Sequence, residues 1–316
     1  MDVSVVVPLL NEAESLPELI SWIDKVLSQN KYTYEVIMID DGSTDNSWNV
    51  INELKEKYHC LKGIKFRRNF GKSAALHTGF QHARGNVVIT MDADLQDSPE
   101  EIPEFVNMIR NGGYDLVSGW KKKRFDPVFA KNLPSKFFNW TARRMSGIKL
   151  HDFNCGLKAY RNRVVKGIEI YGEMHRYIPV LAKWAGFKKI GEKIVRHQER
   201  KYGTTKFGVG RFMKGPLDLL SIMFISKYGK RPMHLFGTLG TLTFVFGLAM
   251  AAIVGSKKII AIKHHVLAPL VTSSPYFYIA LTCMVIGSLL FLTGFLGELI
   301  SRSSSERNNY HIEEEL

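Results

Sequence analysis

The sequence has few cysteines and two long stretches without any charge. Its three cysteines, Cys60, Cys155 and Cys283, offer neither a disulfide framework nor the spacing of a cysteine metal site. This scarcity is typical of a protein from a reducing compartment. No charged residue lies in 235–255 or in 276–297. Each stretch matches the roughly 20 apolar residues that cross a bilayer, so we expect two membrane spans at about 235–255 and 276–298.

Glycines recur in both uncharged stretches and would let two membrane helices approach closely. They are Gly237, Gly240, Gly247, Gly287 and Gly294. The same small-residue faces would permit association between copies of the chain as a homo-oligomer. The alternative is a pair of buried helices in a large soluble core, but such helices are rarely this long and uncharged.

The net charge of +13 predicts an anionic partner, which need not be nucleic acid. Basic residues that flank a span mark its cytoplasmic side. Those before the first span are Lys227, Lys230 and Arg231, and those in the loop between the spans are Lys257, Lys258 and Lys263. The bias is therefore moderate. Since two spans return the chain to one side, we expect a multi-pass protein of the cell inner (cytoplasmic) membrane whose large domain and tail are cytoplasmic.

Apolar runs alternate with helical patterns over the first 120 residues. The runs are VSVVVPLL, YEVIMID, LKGIKF, NVVITMD and YDLVSGW, and a helical pattern over 14–29 follows the first. This alternation predicts an α/β fold with a doubly wound, mostly parallel sheet. Ligands bind such sheets beyond the carboxyl ends of the strands. The start at Met1 with a strand-like run predicts no signal peptide.

The composition divides the chain into four predicted parts. They are an α/β domain at 1–210, an interfacial juxtamembrane helix at 211–232, a two-helix anchor at 233–300 and a cytoplasmic tail at 301–316. Two basic and aromatic segments, 131–150 and 212–226, are either helices on the membrane surface or ordinary domain helices.

The stretch VITMDADLQDSPEEI, at 88–102, carries a buried strand straight into acidic residues. Asp92 and Asp94 present hard carboxylate oxygens, which suit Mg²⁺ or Mn²⁺. Mg²⁺ typically takes one or two carboxylates together with substrate phosphates. A solvated turn with a helix cap is the alternative. We expect Asp97, with Glu100 and Glu101, to lie at the start of the next helix, where negative charge favours the dipole.

Two familiar nucleotide sites are excluded by their missing glycines. No G-x-G-x-x-G follows the first strand, and no P-loop is present. A nucleotide would therefore be held in another way.

Six segments in order carry a specific resemblance. They are VSVVVPLLNEAESLPEL, VIMIDDGSTDNSW, RRNFGKSAALHTGF, VITMDADLQDSPEEIPEF, DFNCGLKAYR and RKYGTTKF. Over residues 2 to 230 the chain resembles family 2 glycosyltransferases with a GT-A fold. It is most similar to the polyprenyl-phosphate glycosyltransferases, such as dolichol-phosphate mannose synthase, in their bacterial form with two C-terminal transmembrane helices.

The resemblance implies an inverting transfer of a hexose from a nucleotide-diphosphate sugar to a polyprenyl phosphate, undecaprenyl or dolichyl. A UDP-sugar is the favoured donor. The reaction would take place at the cytoplasmic membrane face, in cell-envelope glycan synthesis. The implied partners are the donor, the lipid acceptor and the membrane, without nucleic acid, and the implied cofactor is Mg²⁺ or Mn²⁺.

The resemblance also implies roles for residues at the donor side. Residues matching the nucleotide and diphosphate contacts are Pro8, Leu10, Glu12, Asp40, Asp41, Ala93, Gln96 and Lys121, and those matching the metal site are Asp92, Asp94 and Gln96. Many relatives have tyrosine at Leu10 and arginine at Lys121. A lysine supplies the charge but not the two-pronged contact of arginine. Asp40 is either a contact or a structural residue.

Implied catalytic residues are Asp94, Asp152, Arg200 and Lys206. The basic segment R-x-x-G-x-[ST]-K, which includes Gly203 and Thr205, matches a part that lies near the phosphates; a solvated loop is the alternative. A phosphate monoester has a second pKa of roughly 6, so its attacking oxygen is already largely unprotonated at neutral pH and needs no strong base. We therefore expect Asp152 to orient the acceptor or the sugar; a base, or a loop residue capping its own backbone, are the alternatives.

Two other functions remain open from the sequence. A processive polysaccharide synthase would usually carry Q-x-x-R-W and more spans, whereas this chain has QERKY at 198–202. A non-catalytic, nucleotide-binding membrane scaffold would not need Asp92, Asp94, Asp152, Arg200 and Lys206.

Overall fold

The computed structural model describes residues 1–122, 139, 142–144, 146–172, 174–199, 201–202, 224, 228, 232–265 and 270–303. The chain divides into two compact units, residues 1–219 and 220–316. The predicted juxtamembrane helix at 211–232 and tail at 301–316 lie almost wholly outside the described residues, and so do most of 131–150 and 212–226.

The described residues of the first unit form a seven-stranded sheet with the order β3-β2-β1-β4-β6-β5-β7. The strands are β1 Val3–Leu9, β2 Tyr34–Asp40, β3 Leu61–Lys65, β4 Val87–Thr90, β5 Leu116–Trp120, β6 Lys158–Arg161 and β7 Ile190–Ile194. Only β6 runs antiparallel to its neighbours, β4 and β5, among these strands. The predicted α/β, mostly parallel sheet is confirmed, including each of the five predicted strands.

Helices cover both faces of this sheet and bury their apolar sides against it. They are α1 Leu16–Gln29, α2 Ser47–Lys57, α3 Lys72–His82, α4 Ile102–Arg110, α5 Asn162–Lys166 and α6 Ile178–Trp184. A 3₁₀ turn, Pro99–Glu101, precedes α4, and Ser98 caps it by accepting the N–H of Glu100. The helical pattern predicted over 14–29 is confirmed in α1, whose spaced apolar residues are buried.

The register brings the strand ends to one edge. Leu9 pairs with Asp40, and Asp40 pairs with Lys65, so β1, β2 and β3 end level with one another. Thr90, the last residue of β4, pairs with Lys158, the first residue of β6. Because β6 is reversed, its beginning lies at the same edge as the ends of its neighbours.

The second unit contains two long apolar helices, α7 Pro232–Lys263 and α8 Pro275–Ser303. Both are candidate membrane spans, over Pro232–Lys263 and Pro275–Ile300, with mean hydropathies of 1.9 and 2.3. The close approach predicted from their glycines is confirmed. A Cβ at Gly240 would lie 2.6 Å from the carbonyl oxygen of Gly287, and one at Gly247 would lie 2.7 Å from that of Ala280.

Candidate functional site

The loops after β1 and β2 are tied together by hydrogen bonds. Asn11 has a positive φ of 51°, and its side-chain oxygen accepts the N–H of Thr44 at 2.8 Å. In return, the hydroxyl of Ser43 accepts the N–H of Asn11 at 2.8 Å, and that of Ser47 accepts the N–H of Glu12 at 3.0 Å. The predicted donor residues Leu10 and Glu12 thus belong to a loop whose backbone is fixed by its neighbour.

Asp40 ends β2 and Asp41 follows it directly, and both are buried. Asp40 closes its own turn, since its carboxylate accepts the N–H of Ser43 at 2.8 Å. Asp41 accepts the N–H groups of Phe70 at 2.7 Å and Gly71 at 2.9 Å, just before α3. Burial raises the pKa of Asp41, and these two hydrogen bonds oppose that rise only in part. The contact of Asp41 with a nucleotide base stays a prediction.

Asp92 lies just beyond the end of β4 and faces basic side chains. Its carboxylate pairs with the ammonium of Lys72, the first residue of α3. Burial opposes ionisation, but the charges of Lys72, Lys121 and Lys158 outweigh it and lower the pKa of Asp92 to about 2. Gly156 packs directly against this carboxylate, because a Cβ at Gly156 would lie 2.5 Å from a carboxylate oxygen of Asp92.

Asp94 and Gln96 form a tight turn after Asp92. The carboxylate of Asp94 accepts the backbone N–H of Gln96 at 3.2 Å, across Leu95, which has a φ of 60°. Asp94 and Ala93 are buried, whereas Gln96 is half-buried. The carbonyl of Gln96 also accepts the N–H of Gln198 at 2.9 Å. The turn is therefore joined to the residues that lead into the predicted basic segment.

Asp97 directly precedes Ser98, the cap of the 3₁₀ turn before α4, so its expected position at a helix start is confirmed, whereas its side-chain contact was not expected. Its side chain is fully buried and pairs with the ammonium of Lys121 at 2.7 Å. Burial disfavours the charge of Lys121, but Asp97 and the weaker contributions of its other acidic neighbours, including Asp92, together outweigh burial and raise the pKa of Lys121. A buried charge needs such a partner. Asp97 therefore holds Lys121, a predicted diphosphate contact, at the site.

Asp152 is buried, and its backbone is held on both sides. Glu192 of β7 accepts the N–H of Asp152 at 3.1 Å and that of His151 at 2.7 Å. The carbonyl of Asp152 accepts the hydroxyl of Ser118 at 3.2 Å. Its carboxylate accepts the N–H of Asn154 at 3.0 Å, as a residue capping its own turn does.

His151, beside Asp152, belongs to the same arrangement. Its ring lies parallel to that of Trp120, with centroids 4.1 Å apart and an angle of 13°. Its Nδ1 is 2.7 Å from the carboxylate of Glu192. These contacts fix the loop that carries Asp152 against β5 and β7.

The sequence did not point to three lysine and arginine residues of this edge. Lys72, Lys158 and Arg176 line a small cleft with Pro8 and Asp92. Lys72 and Lys158 stand inside the segments that carried the resemblance, and the reversal of β6 alone brings Lys158 beside the end of β4. The sequence could have identified Lys72 as a basic residue inside the segment RRNFGKSAALHTGF. Its pairing with Asp92 could be learned only from the fold.

The donor set at Asp92 and Asp94 fits a divalent metal. Both groups are hard carboxylates at the end of a buried strand, and a cation, the ammonium of Lys72, already contacts Asp92. No cluster of three or more His, Cys, Asp or Glu side chains that could hold a metal occurs in the described part of the chain. The protein would thus supply two carboxylates and leave the remaining positions to a ligand, as Mg²⁺ sites often do.

The structure brings Pro8, Asp92, Asp94 and Lys121 to one edge of the sheet. Four other predicted residues, Arg200, Gly203, Thr205 and Lys206, lie outside the described residues. Their neighbours in sequence are anchored: Lys201 pairs with Glu18 of α1 at 2.7 Å.

Comparison with known proteins gives one matching family profile, that of Glycosyl transferase family 2, over residues 4–168. The dodecaprenyl-phosphate galacturonate synthase of Rhizobium johnstonii is 34% identical over 307 residues, which are 96% of this chain and 88% of that protein. The undecaprenyl-phosphate 4-deoxy-4-formamido-L-arabinose transferase of Pseudomonas fluorescens is 34% identical, covering 96% of this chain and 86% of that protein.

Two solved structures share the fold at low sequence identity. Mannosyl-3-phosphoglycerate synthase from Rubrobacter xylanophilus has a TM-score of 0.58 at 14% identity, over 72% of this chain and 75% of that one. Glucosyl-3-phosphoglycerate synthase from Mycobacterium tuberculosis, in complex with Mn²⁺ and UDP-glucose, has a TM-score of 0.55 at 17% identity, over 71% and 78%.

Proposed function

The chain belongs to glycosyl transferase family 2, and from that premise we propose that it transfers a hexose from a nucleotide-diphosphate sugar to a polyprenyl phosphate. The observation that carries the proposal is the charged edge after β4, where Asp92 pairs with Lys72 and lies within reach of the charge of Lys121. Asp94 follows in the next turn, and Asp97 holds Lys121 in place. The names of the relatives support the lipid acceptor, since they include dodecaprenyl phosphate and undecaprenyl phosphate.

In this proposal the loops after β1 and β2 bind the nucleotide. Pro8, Leu10 and Glu12 contact the base and ribose, and Asp41 contacts the base. Asp40 supports the loop through its own turn. A UDP-sugar is the favoured donor, in keeping with the UDP-glucose complex of a protein that shares the fold.

Asp92 and Asp94, with Gln96, would hold Mg²⁺ or Mn²⁺ against the donor diphosphate. When bound, the metal would neutralise charge that builds on the leaving diphosphate. Lys121, Arg200 and Lys206 add positive charge to the same end, with Gly203 and Thr205 in the basic segment. Preorganised charges of this kind stabilise the transition state because they need not reorient as the reaction proceeds.

The acceptor phosphate attacks the anomeric carbon, and the nucleoside diphosphate leaves with the electrons of the broken bond, which inverts the configuration. Asp152 orients the acceptor or the sugar hydroxyls and removes no proton. Its fixed backbone supports this role, since Glu192 and Ser118 hold both sides of the residue. Positioning alone accounts for a large share of many enzymatic barriers.

The two candidate spans would anchor the enzyme in the cytoplasmic membrane, with residues 1–210 on the cytoplasmic face beside the lipid headgroup. The anchor would comprise 233–300, with an interfacial helix before it and the tail at 301–316 after it. Small-residue faces on the spans would permit self-association.

The test is a transfer assay with the full-length protein in detergent. Undecaprenyl phosphate and Mn²⁺ are supplied with a panel of labelled UDP- and GDP-sugars, and label in the extracted lipid is counted. We expect label from at least one UDP-sugar, loss of label with EDTA, and loss in Asp94→Asn but not in the exposed control Glu56→Gln. Absence of labelled lipid with every donor would refute the transfer, and elongated polymer in place of a single sugar would favour a processive synthase.

A further inference from the structure

Lys72 lies at the start of α3, directly after a stretch of fixed backbone. Gly71, the residue before it, has a φ of 94°, and the N–H groups of Phe70 and Gly71 donate to the carboxylate of Asp41 at 2.7 and 2.9 Å. The end of β2 therefore determines where α3 begins. The ammonium of Lys72 pairs with a carboxylate oxygen of Asp92, just beyond the end of β4. Lys72 thus joins two strand ends of the site.

The other side of this helix start is anchored through Ser73. Its buried hydroxyl accepts the N–H of His175 at 3.0 Å and lies 3.1 Å from Nδ1 of the same residue. His175 belongs to the 3₁₀ turn Met174–Arg176. Because the residues on both sides of Lys72 are held, its backbone is fixed, whereas its side chain is 33% exposed and can change partner by rotation.

Asp92 is the partner of Lys72 and is also a proposed metal ligand. The ammonium of Lys121 is matched by Asp97 at 2.7 Å, whereas that of Lys72 takes its counter-charge from Asp92 itself. A divalent cation at this carboxylate would lie close to the ammonium, and like charges repel more strongly in a partly buried site than in water. Lys72 therefore opposes metal binding at Asp92 as long as this carboxylate is its counter-ion.

A nucleoside diphosphate changes this balance, because it brings phosphate oxygens of its own. These oxygens can accept the ammonium of Lys72 in charge-assisted hydrogen bonds. They are also the ligands with which Mg²⁺ usually completes its coordination in nucleotide sites. With a diphosphate at the site, the two cations share it with the carboxylates, so they no longer compete for Asp92.

We propose that Lys72 couples metal binding to donor binding, by competing with Mn²⁺ or Mg²⁺ for Asp92 until a nucleoside diphosphate gives its ammonium another anion. The inference rests on the proposed function and adds to it the residue that makes metal and donor bind as a pair. Coupling between two ligands is reciprocal, so Mn²⁺ strengthens UDP binding by the same factor as UDP strengthens Mn²⁺ binding. Without a donor, the enzyme then holds the metal only weakly.

The experiment measures binding of Mn²⁺ and UDP to the full-length protein in detergent, without lipid and without turnover. Electron paramagnetic resonance follows Mn²⁺ binding without nucleotide, and calorimetry follows UDP binding with and without Mn²⁺. In the wild type we expect Mn²⁺ to tighten UDP binding at least about tenfold. Lys72→Met should tighten Mn²⁺ binding without UDP at least about threefold and lower the coupling by a similar factor, because the competing charge is gone.

Two further variants control for charge and for stability. Lys72→Arg keeps the charge and should retain most of the coupling. Lys62→Met removes an ion pair with the buried Glu35, which lies near the start of β2 and so at the opposite end of that strand from the site. This variant should lower the melting temperature but leave Mn²⁺ binding and the coupling unchanged.

Three outcomes would overturn the inference. A wild-type protein whose UDP binding is not strengthened by Mn²⁺ would do so, even if Lys72→Met fails to fold. Unchanged Mn²⁺ binding in Lys72→Met would make Lys72 a purely structural ion-pair partner, and weaker Mn²⁺ binding would make it a support of the metal site. Failure of the transfer function is distinct, since the coupling would then be present while no sugar nucleotide yields labelled lipid.

Discussion

Asp41 and Asp92 follow neighbouring parts of one sheet edge, yet their environments act in opposite directions. Asp41 is matched by two neutral backbone N–H groups, and burial raises its pKa. Asp92 is matched by lysine charges, which overcome burial and lower its pKa to about 2. Hydrogen bonds from amides hold a carboxylate in place without compensating its whole charge, whereas ammonium groups do compensate it.

This difference divides the edge into two halves. Hydrogen bonds from backbone N–H groups fix the loops after β1 and β2, so we infer that these loops mainly determine the shape of the site. Two ion pairs, Lys72–Asp92 and Lys121–Asp97, organise the ends of β4, β5 and β6. We infer that this half mainly provides the charge of the site. Substitutions should therefore separate stability from activity.

The largest expected effect is on activity, in the charged half. Asp92→Asn should lower transfer at least 100-fold, equivalent to about 2.7 kcal/mol of transition-state stabilisation. Stability should fall as well, because the lowered pKa of Asp92 means that its charge stabilises the folded state. This loss should be moderate, since Asp92 is 32% exposed and water can reach Lys72 once the pair is lost. Labelled-lipid formation and a thermal melt in detergent measure the two effects. If the variant kept a tenth of the activity or more, Asp92 would not be a metal ligand.

Asp41→Ala should act mainly on stability. It leaves the half-buried N–H groups of Phe70 and Gly71 without their acceptor, which costs about 1 kcal/mol for each. The total of about 2 kcal/mol should lower the melting temperature by roughly 4–8 °C. Asp45→Ala is the matched control, since Asp45 also accepts backbone N–H groups but is exposed. Equal shifts in the two variants would argue against burial as the cause.

Glu192→Ala should lower kcat about tenfold, because the loop that carries Asp152 loses its fixed position. The KM for donor should stay within a factor of about two, since Glu192 lies away from the nucleotide loops. Glu192→Gln keeps a side-chain oxygen that can accept an N–H and should recover part of the rate. A rise in the KM for donor together with a fall in kcat, without recovery in Glu192→Gln, would point to a general folding defect.

The smallest expected effect is a pH dependence at Asp41. Its folded pKa is raised, so the folded state binds the proton more tightly and the stability that this adds is present at low pH. It is lost as pH rises through the folded pKa, which lies above the ordinary aspartate value of 3.8. As pH falls from 7 to 4, the melting temperature of the wild type should therefore rise relative to that of Asp41→Asn. A constant difference would contradict the raised pKa.

The sequence was sufficient for β1 to β5 because their apolar runs are long and end in polar residues. It gave no signal for β6, which is four residues long and reads KAYR, nor for β7, IGEKI. Short strands without alternation or an apolar run have no periodicity from which to predict them. The motif order then supplied the predicted residues at the ends of β1, β2 and β4.

The residues that the sequence missed depend on contacts between distant segments. Asp97 was assigned to a helix start from its neighbours Ser98 and Pro99, but its partner Lys121 is brought to it by β5. Glu192 reaches Asp152 only because β7 pairs with β5, where Ser118 stands opposite Glu192. Local sequence patterns predict local structure, whereas contacts between distant segments can be predicted only when the sheet register is known.

The reversed strand β6 makes the donor edge easy to redesign. Because it runs against β4 and β5, the seven residues from Asp152 to Lys158 arrive at the edge as one continuous loop that ends in the sheet. A parallel strand in that position would have delivered only its far end there. Exchanging 152–158 between relatives would therefore move Asp152 and Lys158 together as one segment, while the strands that fix the nucleotide loops stay as they are.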